Sequence, residues 1–341
     1  MNLSVVGKSL LALTLLVFSS LNLAQDAGAS VPDSSYAKPG QLVSIPSARA
    51  SDTRLLNLRC TGDGPVSILL EAGSRADSIT GYRVQPLLAK QTRVCSYDRA
   101  GYGFSEEGPL PRDVDADVRD LDALITAAGI QTPTVLVGHS LGTDIVRRYA
   151  ELHRNRVAGL VLVDPPEHYI AKYAPDWDSS ERASNKQRFE LLQTCLDAAI
   201  AGTLAKGDGD LSRCVADPDT KWPEAVRASI RAYKLNPAFW RTIKSELSYN
   251  ETVFNAPIVV HKKRSDLPVV ILVAGDTYAE APSPLREAFE KSREKTIANI
   301  AANTTRSTRI DVANSGHDMQ MDQPQAVVDA VTAVMKQFAK K

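Results

Sequence analysis

One stretch, Thr134-Val-Leu-Val-Gly-His-Ser-Leu-Gly-Thr143, limits what this chain can fold into more than any other. The β-branched Thr134 and the apolar Val135 to Val137 read as a buried strand. Leu141, Ile145, Tyr149 and Leu152 follow at helical spacing. Between strand and helix, Gly138-His139-Ser140-Leu141-Gly142 fits G-x-S-x-G. A strand that turns so sharply into a helix holds its apical Ser at φ above zero, and side chains at 138 or 142 would collide across the turn. The turn lifts the hydroxyl of Ser140 clear of the sheet, beside the free N–H groups of the helix start. This setting makes the match a nucleophile elbow rather than an ordinary turn.

Length and composition frame the rest. The 341 residues suffice for one large α/β domain with an insertion, or for two domains. With 43% apolar and 23% charged residues the chain is globular. A formal net charge of zero leaves no footprint for nucleic acid or an anionic membrane. Residues 1–29 read as a secretory signal peptide, with Lys8, the apolar run Leu10 to Phe18, and Ala27-Gly28-Ala29 as cleavage site (Ala24 is a second candidate). The run is too short to span a bilayer, and no Cys follows it for lipid attachment, so no stable membrane anchor is expected. The mature protein is expected to be secreted or periplasmic. Its four Cys, at 60, 95, 195 and 214, suggest two disulfides. Neither C-x-x-C nor a Cys/His cluster is present, so no metal site is expected.

Taken in order, residues 30–40 form a polar leader, and Gln41–Pro46 and Leu55–Cys60 read as two short strands of a hairpin. Strands are expected at Val66–Leu70, Arg93–Tyr97 and Ala158–Val163, with helices over Ile79–Ala89 and from Asp113 to Gly129. In the second helix Val114, Val118, Leu121 and Ile125 share one face. Strands alternating with helices imply a parallel sheet covered on both faces. The alternation breaks from 166 to 262, where only helical segments appear, around Glu181–Ala201, Pro223–Tyr233 and Ala238–Leu247. Trp177, Trp222 and Trp240 all lie there, most of these aromatics serving the segment's own small core. This reads as a helical cap inserted between a core of residues 30–165 and its continuation over 263–341. The continuation holds a strand at Leu267–Ala274, a helix near Pro284–Ala301, a short strand near Ser307–Val312 and a last helix from Pro324.

A serine hydroxyl needs a base to take its proton, and that base is nearly always a His held by a carboxylate. The chain has five His. His139 lies on the far side of the elbow, His153 on the surface of the elbow helix, and His261 in the solvated run His261-Lys-Lys-Arg264. His168 follows the strand ending at Asp164 and could line a pocket. His317, in Ser315-Gly316-His317 between the last strand and the last helix, can swing over the sheet edge and is the expected base.

Glu71-Ala-Gly, Tyr97-Asp-Arg-Ala-Gly-Tyr-Gly-Phe-Ser105, Gly138-His-Ser-Leu-Gly142, Leu160-Val-Leu-Val-Asp164 and Ser315-Gly-His317 together resemble the α/β-hydrolase superfamily, in that family's order. The resemblance covers about residues 40–165 and 263–340 and implies a mostly parallel central sheet flanked by helices, with the cap inserted after the sixth strand. It also implies the chain order Ser, Asp, His. For the oxyanion hole it implies the N–H of Leu141 and that of Ser74, where many relatives carry His-Gly in place of Ala72-Gly73. Asp98 and Arg99 resemble the family's structural turn and are expected as a buried pair bracing the sheet. Cys195–Cys214 is expected inside the cap, and Cys60–Cys95 between strands that this fold sets side by side.

Two acids compete. Most relatives carry theirs after the strand that follows the cap, often as the second Asp of Gly-Asp-x-Asp; here Gly275-Asp276-Thr277-Tyr278 keeps the first and has Tyr at the second. Asp164 ends the preceding strand, and Leu162-Val-Asp-Pro165 resembles the pancreatic-type lipases. Asp164 is preferred, with Asp276 the alternative and a turn cap the plain reading of Asp164. The chain is thus expected to be an exported serine hydrolase that cleaves a small-molecule carboxylic ester through an acyl-enzyme, needing no cofactor. A peptidase or amidase on the same fold, or a non-catalytic binding protein, are the competing readings. Ser140 argues against epoxide hydrolases and haloalkane dehalogenases, which carry Asp at the elbow.

Overall fold

The computed structural model describes residues 31–47, 52–174, 177–217, 219–256 and 258–339. The expected signal peptide lies outside the described residues. Strands β1 (Gln41–Pro46), β2 (Thr53–Thr61), β3 (Ser67–Glu71), β4 (Arg93–Tyr97), β5 (Thr134–His139), β6 (Val157–Val163), β7 (Ser265–Ala274) and β8 (Thr304–Val312) make one sheet. Its order is β1-β2-β4-β3-β5-β6-β7-β8. β1 and β2 pair antiparallel, as do β2 and β4; every other neighbour is parallel. This is the α/β-hydrolase fold.

Because side chains alternate along a strand, β5 feeds two cores. Leu136 joins the core under helices α2 (Val114–Ala127) and α3 (Leu141–Leu152), while Val135 and Val137 join the opposite one. The second core packs under α1 (Gln85–Ala89) and the final helix, where Val327, Val331 and Val334 are buried. Each fully buried Val or Leu contributes roughly 1.5–3 kcal/mol of transfer free energy. The Asp113 carboxylate caps α2 by accepting from Ala116 N–H at 2.7 Å, and Gly129 closes the helix at φ 59°.

One local expectation needs correcting. The stretch 79–89 is not one helix: a 3₁₀ turn at Ser78–Gly81 precedes α1, whose first turn holds Pro86. Proline lacks the N–H a helix interior requires, so it can only open a new helix here. Leu152, at helical spacing with the buried Leu141, Ile145 and Tyr149, ends α3 and is 53% exposed.

The segment between β6 and β7 is helical: α4 (Ile170–Tyr173), α5 (Trp177–Ile200), α6 (Ser212–Val215), α7 (Glu224–Lys234) and α8 (Pro237–Asn255). Leu192, Leu196, Phe239, Trp240 and Ile243 form its own core, joined by Tyr102 from below. Trp222 instead packs edge-on against Tyr82 of the sheet-bearing part, ring centroids 5.8 Å apart. Both expected disulfides are present. Cys60 and Cys95 face each other across the β2–β4 ladder, and Cys195–Cys214 ties α5 to α6. Among the described residues no helix is long and apolar enough to cross a membrane.

Candidate active site

At the C-terminal edge of the sheet, backbone strain gathers in one place. Among the described residues the non-glycine positions with positive φ are Arg75, Ser140, Asp164 and Asn314. They sit in the loop after β3, at the apex between β5 and α3, at the end of β6, and three residues before His317. Each such conformation costs of order 1–3 kcal/mol and persists only where surroundings enforce it.

Ser140 stands at φ 51°, ψ −123°, with its N–H donating to Val163 O of β6 at 3.0 Å. The flanking glycines are a matter of space. A Cβ on Gly138 would lie 2.4 Å from Gly142 O, and one on Gly142 would lie 2.6 Å from Glu71 O. The Leu141 N–H opens α3 beside the apex, among the first-turn donors a helix leaves without intrahelical partners. The loop after β3 also closes on it: a Cβ on Gly73 would come within 3.3 Å of Ser140 Cβ.

His317 meets Asp164. Their Nδ1–Oδ2 separation is 2.8 Å, while the other partners of the carboxylate are Thr277 Oγ1, donating to Oδ2 at 2.8 Å, and Ala274 N–H, donating to Oδ1 at 3.1 Å. Asp164 is 2% exposed, and its own N–H extends the β6–β7 ladder by donating to Leu272 O. Burial opposes the His317 cation, but the hydrogen bond and charge of Asp164, with Asp318 and Glu167 behind, raise it above its ordinary 6.5. Asp276 lies at the same sheet edge but is exposed, its N–H donating to Ser315 O at 2.9 Å. Tyr278, where relatives often carry a second Asp, stacks on Phe289 with Arg293 over its other side.

His139 packs its ring 4.8 Å from that of His317 and donates from Nε2 to His317 O at 2.8 Å, which fixes its tautomer. Burial and the His317 charge push it down to about 4, so it stays neutral. His168 does not approach this group: it is buried against α3, Nε2 3.0 Å from Asp144 Oδ1. Glu167 stands near Asp164 and His317; burial and the Asp164 charge carry it up to about 7. Among the described residues no group of three or more His, Cys, Asp or Glu is placed to hold a metal ion.

Asp98 and Arg99 are both buried, yet they do not brace the sheet as a pair. Adjacent side chains at the end of β4 point apart. Asp98 accepts from Asn57 Nδ2, Ser78 N–H and Phe104 N–H. Arg99 instead reaches Glu71 Oε1 at 2.9 Å and Glu246 Oε1, on the cap helix α8, at 2.8 Å. Glu246 and Thr277 carried no sequence signal: one is a helical glutamate, the other a loop threonine, and only distant partners give them a role.

The chain belongs to the α/β hydrolase family, whose model matches residues 72–330. Among curated proteins it is similar to the uncharacterized protein YqjL of Bacillus subtilis, 33% identical over 104 residues, which are 30% of this chain and 41% of that protein. The match thus spans less than half of that relative. Among solved structures it is similar to an esterase from Thermogutta terrifontis, with TM-score 0.56 and 19% identity, covering 88% of this chain and 99% of that one. It is also similar to the epoxide hydrolase CorEH, with TM-score 0.56 and 15% identity, covering 87% and 99%. At those identities the two structures share the fold.

Proposed function

We propose that this hydrolase-family chain is an exported serine hydrolase acting on small-molecule carboxylic esters. The observation that carries the reading is the His317–Asp164 hydrogen bond beside a strained Ser140. Ser140 attacks the ester carbonyl while Nε2 of His317 takes its proton; His317 then protonates the leaving alcohol. Asp164 holds the Nδ1 tautomer and stabilises the imidazolium. The N–H groups of Leu141 and Ser74 receive the oxyanion. Water, deprotonated by the same His317, releases the acyl group and restores Ser140. Serine at the elbow favours this over the epoxide chemistry of a structural neighbour, and the two disulfides favour an oxidising compartment.

The test is labelling by a fluorophosphonate, read by mass at Ser140, beside turnover of p-nitrophenyl esters and matched anilides. The proposal expects stoichiometric labelling that Ser140→Ala abolishes, and ester turnover above anilide turnover. An unlabelled wild type would point to the binding-protein reading, and anilide preference to an amidase.

A further inference from the structure

We infer that Glu246, reaching down from the cap helix α8, is a positioning residue that aims the Gly73–Ser74 peptide at the oxyanion, so that seating of the cap governs transition-state stabilisation. The inference rests on the serine-hydrolase reading above and adds to it a link between cap and chemistry.

The argument starts from the peptide plane. The Gly73 C=O and Ser74 N–H belong to one rigid unit and point in opposite directions when it is trans. Whatever holds that carbonyl therefore aims that N–H. Arg99 holds it with the turn that follows: Nη2 donates to Gly73 O at 2.8 Å and Nη1 to Ala72 O at 2.7 Å, and Ala76 N–H donates to Gly73 O at 3.3 Å. The guanidinium is a planar fork, so two carbonyls and its ion pairs fix its orientation. Two carboxylates hydrogen-bond it, Glu71 on β3 itself and Glu246 on α8, while Asp117 lies 3.9 Å from its Nε. Their side chains are 0% and 3% exposed, against 2% for Arg99, so little water is at hand to replace either partner.

Glu246 grips the far side of the same loop as well. Its Oε2 accepts from Ser74 Oγ at 2.8 Å, from Arg75 N–H at 3.2 Å and from Tyr102 OH at 2.8 Å. Arg75 is the loop residue held at φ 59°, a conformation needing such enforcement. One cap carboxylate thus clamps the peptide from both ends: through Arg99 before it and through Ser74 and Arg75 after it. Sub-ångström errors in oxyanion donors matter, since they act only at the charge formed in the transition state.

A merely structural Glu246 would lower stability and leave the chemical step intact, which gives the test. Glu246→Gln keeps the volume but turns an N–H₂ group toward donors and removes the charge opposite Arg99. On p-nitrophenyl esters the variant is expected to lose about 10- to 100-fold in kcat with KM within about threefold, less than outright loss of an oxyanion donor. Fluorophosphonate labelling should slow by a similar factor, and Glu246→Asp, which restores the charge, should recover part of both. A folded Glu246→Gln with unchanged kcat, or one whose loss lies wholly in KM, overturns the inference. Should that variant fail to fold, Ser74→Ala decides: it cuts one grip and leaves the Arg99 ion pairs. A several-fold fall in its kcat supports the clamp and an unchanged kcat overturns it. A wild type that does not label at Ser140 overturns the serine-hydrolase reading and this inference with it; a labelled wild type with an indifferent Glu246→Gln overturns this inference alone.

Discussion

Thr277 and His317 meet on a single atom, Oδ2 of Asp164, each at 2.8 Å. A loop that follows β7 therefore serves an acid that follows β6. Thr277→Val removes one donor from the carboxylate and leaves its negative charge more available to His317. Turnover should fall a few-fold, and the midpoint of its rising pH limb should move upward. A downward move would mean that Thr277 acts by holding Asp164 in place rather than by sharing its charge.

The two aspartates should differ sharply. Asp164→Asn takes away the partner that selects the His317 tautomer, and a change of this kind costs about 10³- to 10⁴-fold in kcat. Asp276→Asn, at an exposed side chain, should cost less than about threefold, as surface changes away from the reacting groups do. Steady-state kinetics on the two variants decides; the reverse pattern would move the acid to the loop after β7.

The uneven legibility of this site has physical causes. The signals that single out Ser140 and His317 are local, a five-residue turn and a Gly-flanked loop. The preference for Asp164 over Asp276 rests on less specific loop patterns. β6 and β7 pair in register, Val163 opposite Leu272, so Asp164 and Asp276 emerge at the same edge, and only the path of the His317 loop chooses between them. Arg99 misled for a related reason: a buried cation was legible, but one of its partners, Glu246, lies 147 positions away on the cap. The strands and helices around the elbow followed the periodicity closely. The one failed helix, 79–89, turned on Pro86, which sits in its middle.

Activity should follow the neutral form of His317. Asp164 raises its pKa, so the rising limb of kcat/KM against pH should have its midpoint above the ordinary 6.5. The ion pair contributes stability that is full below 6.5 and fades as pH climbs through the raised value. In Asp164→Asn the residual activity should show its midpoint shifted downward, a result measurable at high enzyme concentration.

His139 acts on stability with the opposite sign. Folding depresses its pKa to about 4, so its contribution is full above 6.5 and drains away as pH falls toward 4. A shift of that size corresponds to roughly 3 kcal/mol. In urea unfolding, the margin of wild type over His139→Gln should shrink by about that much between pH 7 and pH 4. A constant margin would show that His139 is not buried neutral.

The Cys195–Cys214 bridge closes a loop of sequence separation 19 within the cap. Its loss through paired Ser substitutions should lower stability by about 3 kcal/mol. Calorimetry should register it first in the cap, since Leu192, Leu196 and Trp240 pack around the bridge.

The placement of Asp164 before the cap has a consequence for how the chain could be divided. Loop after β3, elbow and acid all lie on the continuous run from Ala72 to Asp164, and His317 alone arrives from beyond the cap. Two polypeptides severed within the cap would distribute the machinery unequally. The first would carry Ser140, Asp164 and the proposed oxyanion amides; the second would bring His317, and Glu246 or not according to where the cut fell. In the proposed catalytic order the cap is thus an interlude, which the inference above ties to the chemistry through Glu246 rather than through the order of the chain.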